Sequence, residues 1–117
     1  MFRILLLIVI FCSCNNYSRT CKNLQYVNGM TYEYDSFYSG TCVTHHKNFN
    51  LRSIQSYRKG FDHGKWEFYF EDGILEVEGN FDMGKKVGKW KYYYPSGKIK
   101  RIMEYDNDSN LINDLKF

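Results

Sequence analysis

Over residues 65–70 large apolar and polar side chains alternate one for one. Trp66, Phe68 and Phe70 fall on one side and Lys65, Glu67 and Tyr69 on the other. Residues 89–94 repeat the pattern, with Trp90, Tyr92 and Tyr94 opposite Lys89, Lys91 and Tyr93. A period of two belongs to a β-strand, whose successive side chains point to opposite faces. Turn residues bound each run. Pro95 holds φ near about −65°, which excludes a two-residue type I′ turn, and Pro95-Ser96-Gly97 suits a type I turn closed by a left-handed glycine. Glu71-Asp72-Gly73 occupies the same register and is expected to turn the same way. Each run is therefore the first arm of a hairpin, with a glycine-bearing loop leading to the next.

The two runs are copies of one unit. Residues 60–73, GFDHGKWEFYFEDG, and residues 84–97, GKKVGKWKYYYPSG, share six of fourteen positions at an offset of 24. The shared set includes Gly60 and Gly84, Gly64 and Gly88, Trp66 and Trp90, and Gly73 and Gly97. Tyr57, Phe81 and Tyr105 recur at the same interval. A further step back finds a worn copy in which Gly40 matches Gly64, Cys42 replaces Trp66 and Phe49 replaces Gly73. A side chain forced into the left-handed region costs roughly 1–2 kcal/mol. The expectation at this turn is that Asn48 or Asn50 takes that conformation in place of Phe49.

Gly, three or four residues, Gly-Lys-Trp, an alternating aromatic strand and a Gly-closed turn together resemble the MORN repeat. The resemblance is to the variant found in bacterial YwqK-like antitoxin proteins, and it spans about residues 37–108. It implies an all-β fold, an elongated twisted antiparallel sheet of consecutive hairpins. It also implies a role in neutralising a toxin by contact. At the far end Asp108 stands where a repeat glycine would fall, so the last copy reads as truncated.

The N-terminus follows a different pattern. After Arg3, residues 4–11 are eight apolar residues without a break, far short of the roughly 20 that a spanning helix needs. Phe11-Cys12-Ser13-Cys14 then resembles a bacterial lipobox. The expected organisation is a helical signal peptide over 1–13, a lipidated Cys14 opening a linker over 14–32, and a repeat domain over 33–117. Within that domain, 33–56 is the worn copy, 57–80 and 81–104 are the clear ones, and 105–117 is the truncated one. Cys21 and Cys42 remain after processing. In an exported chain they can form a disulfide or stay as free thiols. A metal site would need more ligands than His45 and His46 supply, because neighbours on a strand point to opposite faces. No metal or cofactor is expected.

Composition sharpens the choice of function. Of 117 residues 19% are aromatic, with 11 Tyr and 9 Phe against one Pro, which suits strands. Sixteen Lys and Arg against 13 Asp and Glu leave a net charge of +3 with no concentrated basic run, so no nucleic-acid partner is expected. Gly-Lys-Trp lacks the Ser or Thr of a phosphate-binding loop. Thin repeat sheets present long surfaces and few deep clefts, so an enzyme is not expected. Trp66 and Trp90 read as core, and Tyr69 and Tyr93 on the other face as possible contact residues. The leading expectation is a lipid-anchored protein-binding module of the bacterial cell envelope, facing the periplasm or in the outer membrane. A structural or glycan-binding envelope lipoprotein is the alternative.

Overall fold

The computed structural model describes residues 19–117, so the expected signal segment and Cys14 lie outside the described residues. Twelve strands follow in order. The N-terminal group comprises β1 (Arg19–Thr20), a 3-10 turn (Cys21–Asn23), β2 (Leu24–Val27), β3 (Met30–Glu33) and β4 (Ser36–Phe37). The repeat group begins with β5 (Gly40–His45), β6 (Leu51–Arg58), β7 (Phe61–Asp62) and β8 (Gly64–Tyr69). It ends with β9 (Leu75–Asp82), β10 (Lys85–Tyr93), β11 (Ile99–Tyr105) and β12 (Leu111–Lys116).

The large sheet runs β1-β5-β6-β8-β9-β10-β11-β12, with β7 also on β6. From β5 onward it is a meander of hairpins, as the alternation implies. Two kinds of turn link the strands. His46, Phe70, Tyr94 and Asp106 each accept, at the backbone carbonyl, the N–H of the residue three further on. Those closing residues, Phe49, Gly73, Gly97 and Ser109, all have positive φ, and a register shift follows in each hairpin. Lys59-Gly60 and Met83-Gly84 instead carry two successive positive φ values, as a type I′ hairpin requires. The second arms pair back on the first, and the strand order needs no crossover in this part of the sheet.

Three expectations are corrected. The stretch assigned to a linker is folded over its described part, 19–32. Asn28-Gly29 makes a further two-residue turn, and β2, β3 and β4 form a separate three-stranded sheet. That sheet runs on to Phe37, past the boundary placed at residue 33. Second, the large sheet is not wholly antiparallel, because β1 pairs with β5 in parallel. Third, the left-handed position in the worn turn is Phe49 itself, at φ 69°, and not an asparagine. Asn48 and Asn50 are engaged otherwise: both side-chain amides donate to the carbonyl of Glu71, at 2.9 and 2.7 Å.

The small sheet is held to the large one at several points. Thr31 N–H donates to the Gly60 carbonyl at 2.8 Å, and Gly60 N–H donates to that of Tyr38 at 2.8 Å. A Cβ on Gly60 would lie 2.9 Å from the Phe37 ring and 3.0 Å from the Thr31 carbonyl, so the close approach requires glycine here. Arg19 pairs with Glu33, and Cys21 is disulfide-bonded to a fully buried Cys42. The cysteines thus pair, resolving the choice left open by the sequence. The bridge closes a loop with a separation of 21 residues. On chain-entropy grounds its removal should cost about 3 kcal/mol. Replacing both cysteines by serine should lower the urea midpoint accordingly, and an unchanged midpoint would show that the bridge does not constrain the unfolded chain.

Candidate functional site

One face of the large sheet carries a continuous aromatic spine. Tyr38, Tyr57, Trp66, Phe81 and Trp90 follow one another with ring centroids 5.6, 5.3, 5.2 and 4.9 Å apart, each pair edge to face. Such contacts stabilise by about 0.5–1.5 kcal/mol beyond the area they bury. Both indoles donate at their Nε1–H, Trp66 to the Ser56 carbonyl at 2.8 Å and Trp90 to that of Asn80 at 3.1 Å. The 24-residue repeat is thus repeated in the hydrogen bonds. The two tryptophans differ in depth: Trp90 is 3% exposed, whereas Trp66 is only half-buried.

The depth of Trp90 depends on a glycine that the repeat pattern did not single out. An added Cβ at Gly79 would fall 2.1 Å from the Trp90 indole, so the ring lies directly on the β9 backbone. The available signal was a lone glycine within a strand, which marks a bulge or a close approach. At the same point the other copies have Gln55 and Met103, so alignment of the repeats hides it.

The opposite face is polar at its centre. Glu67 on β8 sits directly across from Glu78 on β9, an arrangement of like charges that is unfavourable on its own. Tyr69 donates to Glu67, Lys65 pairs with Glu67 at 3.0 Å, and Tyr93 donates to Glu78 at 3.2 Å. Burial would raise the Glu67 carboxyl, but the bonds from Tyr69 and Lys65 hold it below its ordinary value. Burial and the bond to Glu67 push the Tyr69 phenol up to about 12. Burial and Glu78 raise that of Tyr93. Tyr69 and Tyr93 do share the face opposite the tryptophans, but both are half-buried and their hydroxyls are engaged with carboxylates.

A groove of about 370 Å³ opens where the small sheet meets the spine, lined by Gln25, Thr31, Gln55, Tyr57, Asp62 and Trp66 among others. Tyr57 donates to Gln55 at 2.6 Å, and Gln55 donates to Ser53 at 3.0 Å. Burial, Asp62 and Tyr38 push the Tyr57 phenol up to about 12, and burial raises the carboxyl of Asp62. The adjacent histidines both border a separate groove beside Tyr69: His45 is exposed, while a ring nitrogen of His46 lies 2.7 Å from the Tyr69 carbonyl.

The remaining signature glycines serve the backbone. Gly60 and Gly84 complete the two-residue turns, Gly73 and Gly97 close the longer ones, and Gly64 and Gly88 have positive φ beside irregularities in β7–β8 and β10. At the tip of the worn turn Phe49 is 87% exposed.

The family model described as MORN repeat variant matches the chain twice, over residues 62–83 and 86–107. No curated protein and no solved structure matches it. The matched segments are the β7–β9 and β10–β11 portions of the sheet, so the chain carries two MORN repeat variants with their strands in register.

Proposed function

We propose that this chain is a non-enzymatic protein-binding module, held at a bacterial envelope membrane by a lipid on Cys14. MORN repeats generally serve in membrane- or protein-binding modules, which supports the class. The observation that carries the reading is Phe49. Where the two clear copies have glycine, this turn has a large ring that is 87% exposed and held at φ 69°. Folding alone disfavours that choice on two counts, backbone strain and an apolar side chain left in water. An aromatic ring projecting from a rigid turn is an anchor of the kind that dominates protein interfaces. Of the finer roles, neutralising a toxin by contact is the one suggested by the resemblance to the antitoxin variant. A lipobox address favours a partner outside the cytoplasm.

The test is mild cross-linking of the anchored protein in cells, followed by purification and identification of what is captured. A defined protein should be captured by the parent and lost with Phe49→Gly. The same substitution should stabilise the isolated protein by about 1 kcal/mol, a rise in Tm of roughly 5 °C. Lower stability together with full capture would remove Phe49 from the interface. Cys14→Ser should move the protein to the soluble fraction. Selective binding on a glycan array, with no protein cross-linked, would overturn the reading in favour of an envelope glycan binder.

A further inference from the structure

Positions 38, 62 and 86 are equivalent by the 24-residue repeat, and they hold Tyr38, Asp62 and Lys86. Register supports the equivalence for the last two: Asp62 pairs across from Tyr57, and Lys86 pairs across from Phe81. Lys86 reaches back over the spine, its Nζ 4.7 Å from the Trp90 ring centroid and 5.9 Å from that of Tyr105. Tyr38 likewise covers the aromatic residue 19 positions on, its ring 5.6 Å from that of Tyr57. At position 62 no such cover is possible, since a carboxylate is short and is repelled by the negative face of a ring. Asp62 instead lines the groove beside Tyr57 and Trp66, and among the described residues it has no ion-pair partner.

The geometry points to a binding site for an alkylammonium group in this groove, filled by a lysine side chain of a partner protein. The chain supplies its own precedent in Lys86, which places an ammonium on the equivalent tryptophan one repeat later. In the groove Trp66 and Tyr57 offer ring surface, Asp62 offers the countercharge, and Gln25 and Gln55 offer polar contacts around it. A carboxylate and aromatic rings converging on one open groove form a cation site, and norleucine, which is lysine without its ammonium, would leave Asp62 unpaired. The partner as the source of the lysine rests on the protein-binding reading; the site itself does not.

The experiment uses the mature full chain in detergent, followed by NMR of its two indole N–H groups. Trp66 reports on the groove, and Trp90, already covered by Lys86, serves as the internal control. Titration with Nα-acetyl-lysine methylamide should shift the Trp66 signal to saturation and leave that of Trp90 in place. The neutral Nα-acetyl-norleucine methylamide should do neither. Asp62→Asn should weaken lysine amide binding roughly tenfold. Asp62→Lys should abolish it by filling the groove as Lys86 fills its own. The near-isosteric Asp62→Asn keeps the test independent of whether Asp62→Lys folds. Equal shifts with norleucine amide, or undiminished binding by Asp62→Asn, would overturn the site. Choline binding as well as the lysine amide would overturn the lysine assignment in favour of a lipid headgroup. A chain that binds the lysine amide but captures no protein in cells keeps the cation site and loses the protein-binding reading. Full capture by a folded Asp62→Lys protein keeps that reading and overturns the groove as the partner's site.

Discussion

Trp90→Ala should destabilise the fold by about 3–5 kcal/mol, the range for an aromatic side chain removed from a packed site. The indole is 3% exposed and wedged between the Phe81 ring and the ammonium of Lys86, with its floor on the Gly79 backbone. Its Nε1–H also satisfies the Asn80 carbonyl, which would lose that partner. Among the described residues the other buried apolar side chains, Tyr38, Cys42 and Val43, all lie at the opposite end of the sheet. Among the described residues no neighbouring core is therefore placed to compensate. Trp66→Ala should cost less, because that ring is half-buried and borders an open groove. Tyr69→Ala and Tyr93→Ala should cost least, since each gives up a hydroxyl bond to a carboxylate and a part-exposed ring. Urea unfolding of the four variants beside the parent gives the ranking. A Trp90→Ala protein that unfolds like the parent but no longer captures a partner would make the spine a recognition surface.

The repeat half of the fold was legible because its signals are local and occur twice. Alternation around Trp66 and Trp90 identified the strands, and Pro95-Ser96-Gly97 identified the turn that Glu71-Asp72-Gly73 shares. The small sheet was missed although Asn28-Gly29, the strongest two-residue hairpin signal, lies in its first turn. Its strands of two to four residues carry too little alternation to stand out, and they are held by the disulfide and by backbone bonds to Gly60. Phe49 departs from expectation for a different reason. Propensity favours an asparagine at positive φ, but the two asparagine amides donate to the Glu71 carbonyl on the adjacent turn, which fixes the register of the loop around them. The end of the array shows the same limit. Position 108 is equivalent by the repeat to Gly84 of a two-residue turn, whereas the chain makes a longer turn there, closed by Ser109. In the candidate site, Trp66 and Tyr57 could be found from the repeat. Asp62 gains meaning only beside Lys86, which holds the same position of the next repeat and covers the spine where Asp62 leaves a groove.

Gly79→Ala should be nearly as damaging as the loss of Trp90, at about 3 kcal/mol, although it adds a single methyl group to an ordinary strand position. Overpacking a core by a methylene typically costs about 1–3 kcal/mol. Here the methyl would lie within 2.1–2.6 Å of three atoms of a rigid fused ring. The β9 backbone is held beside this point, because Gly79 pairs with Trp66 on β8 and its neighbour Glu78 pairs with Lys91 on β10. Trp90 must then lift away, leaving Phe81 and surrendering the bond to Asn80. If that is the mechanism, the two substitutions destroy the same contact and their effects will not add. Placed in a Trp90→Ala background, Gly79→Ala should cost under about 1 kcal/mol, because the truncated side chain leaves room for the methyl and alanine suits a strand no worse than glycine. The double-mutant cycle measured by urea unfolding should therefore give a coupling of about 2 kcal/mol or more. Additive losses would mean that the strand itself, and not the seat of the indole, requires glycine at 79.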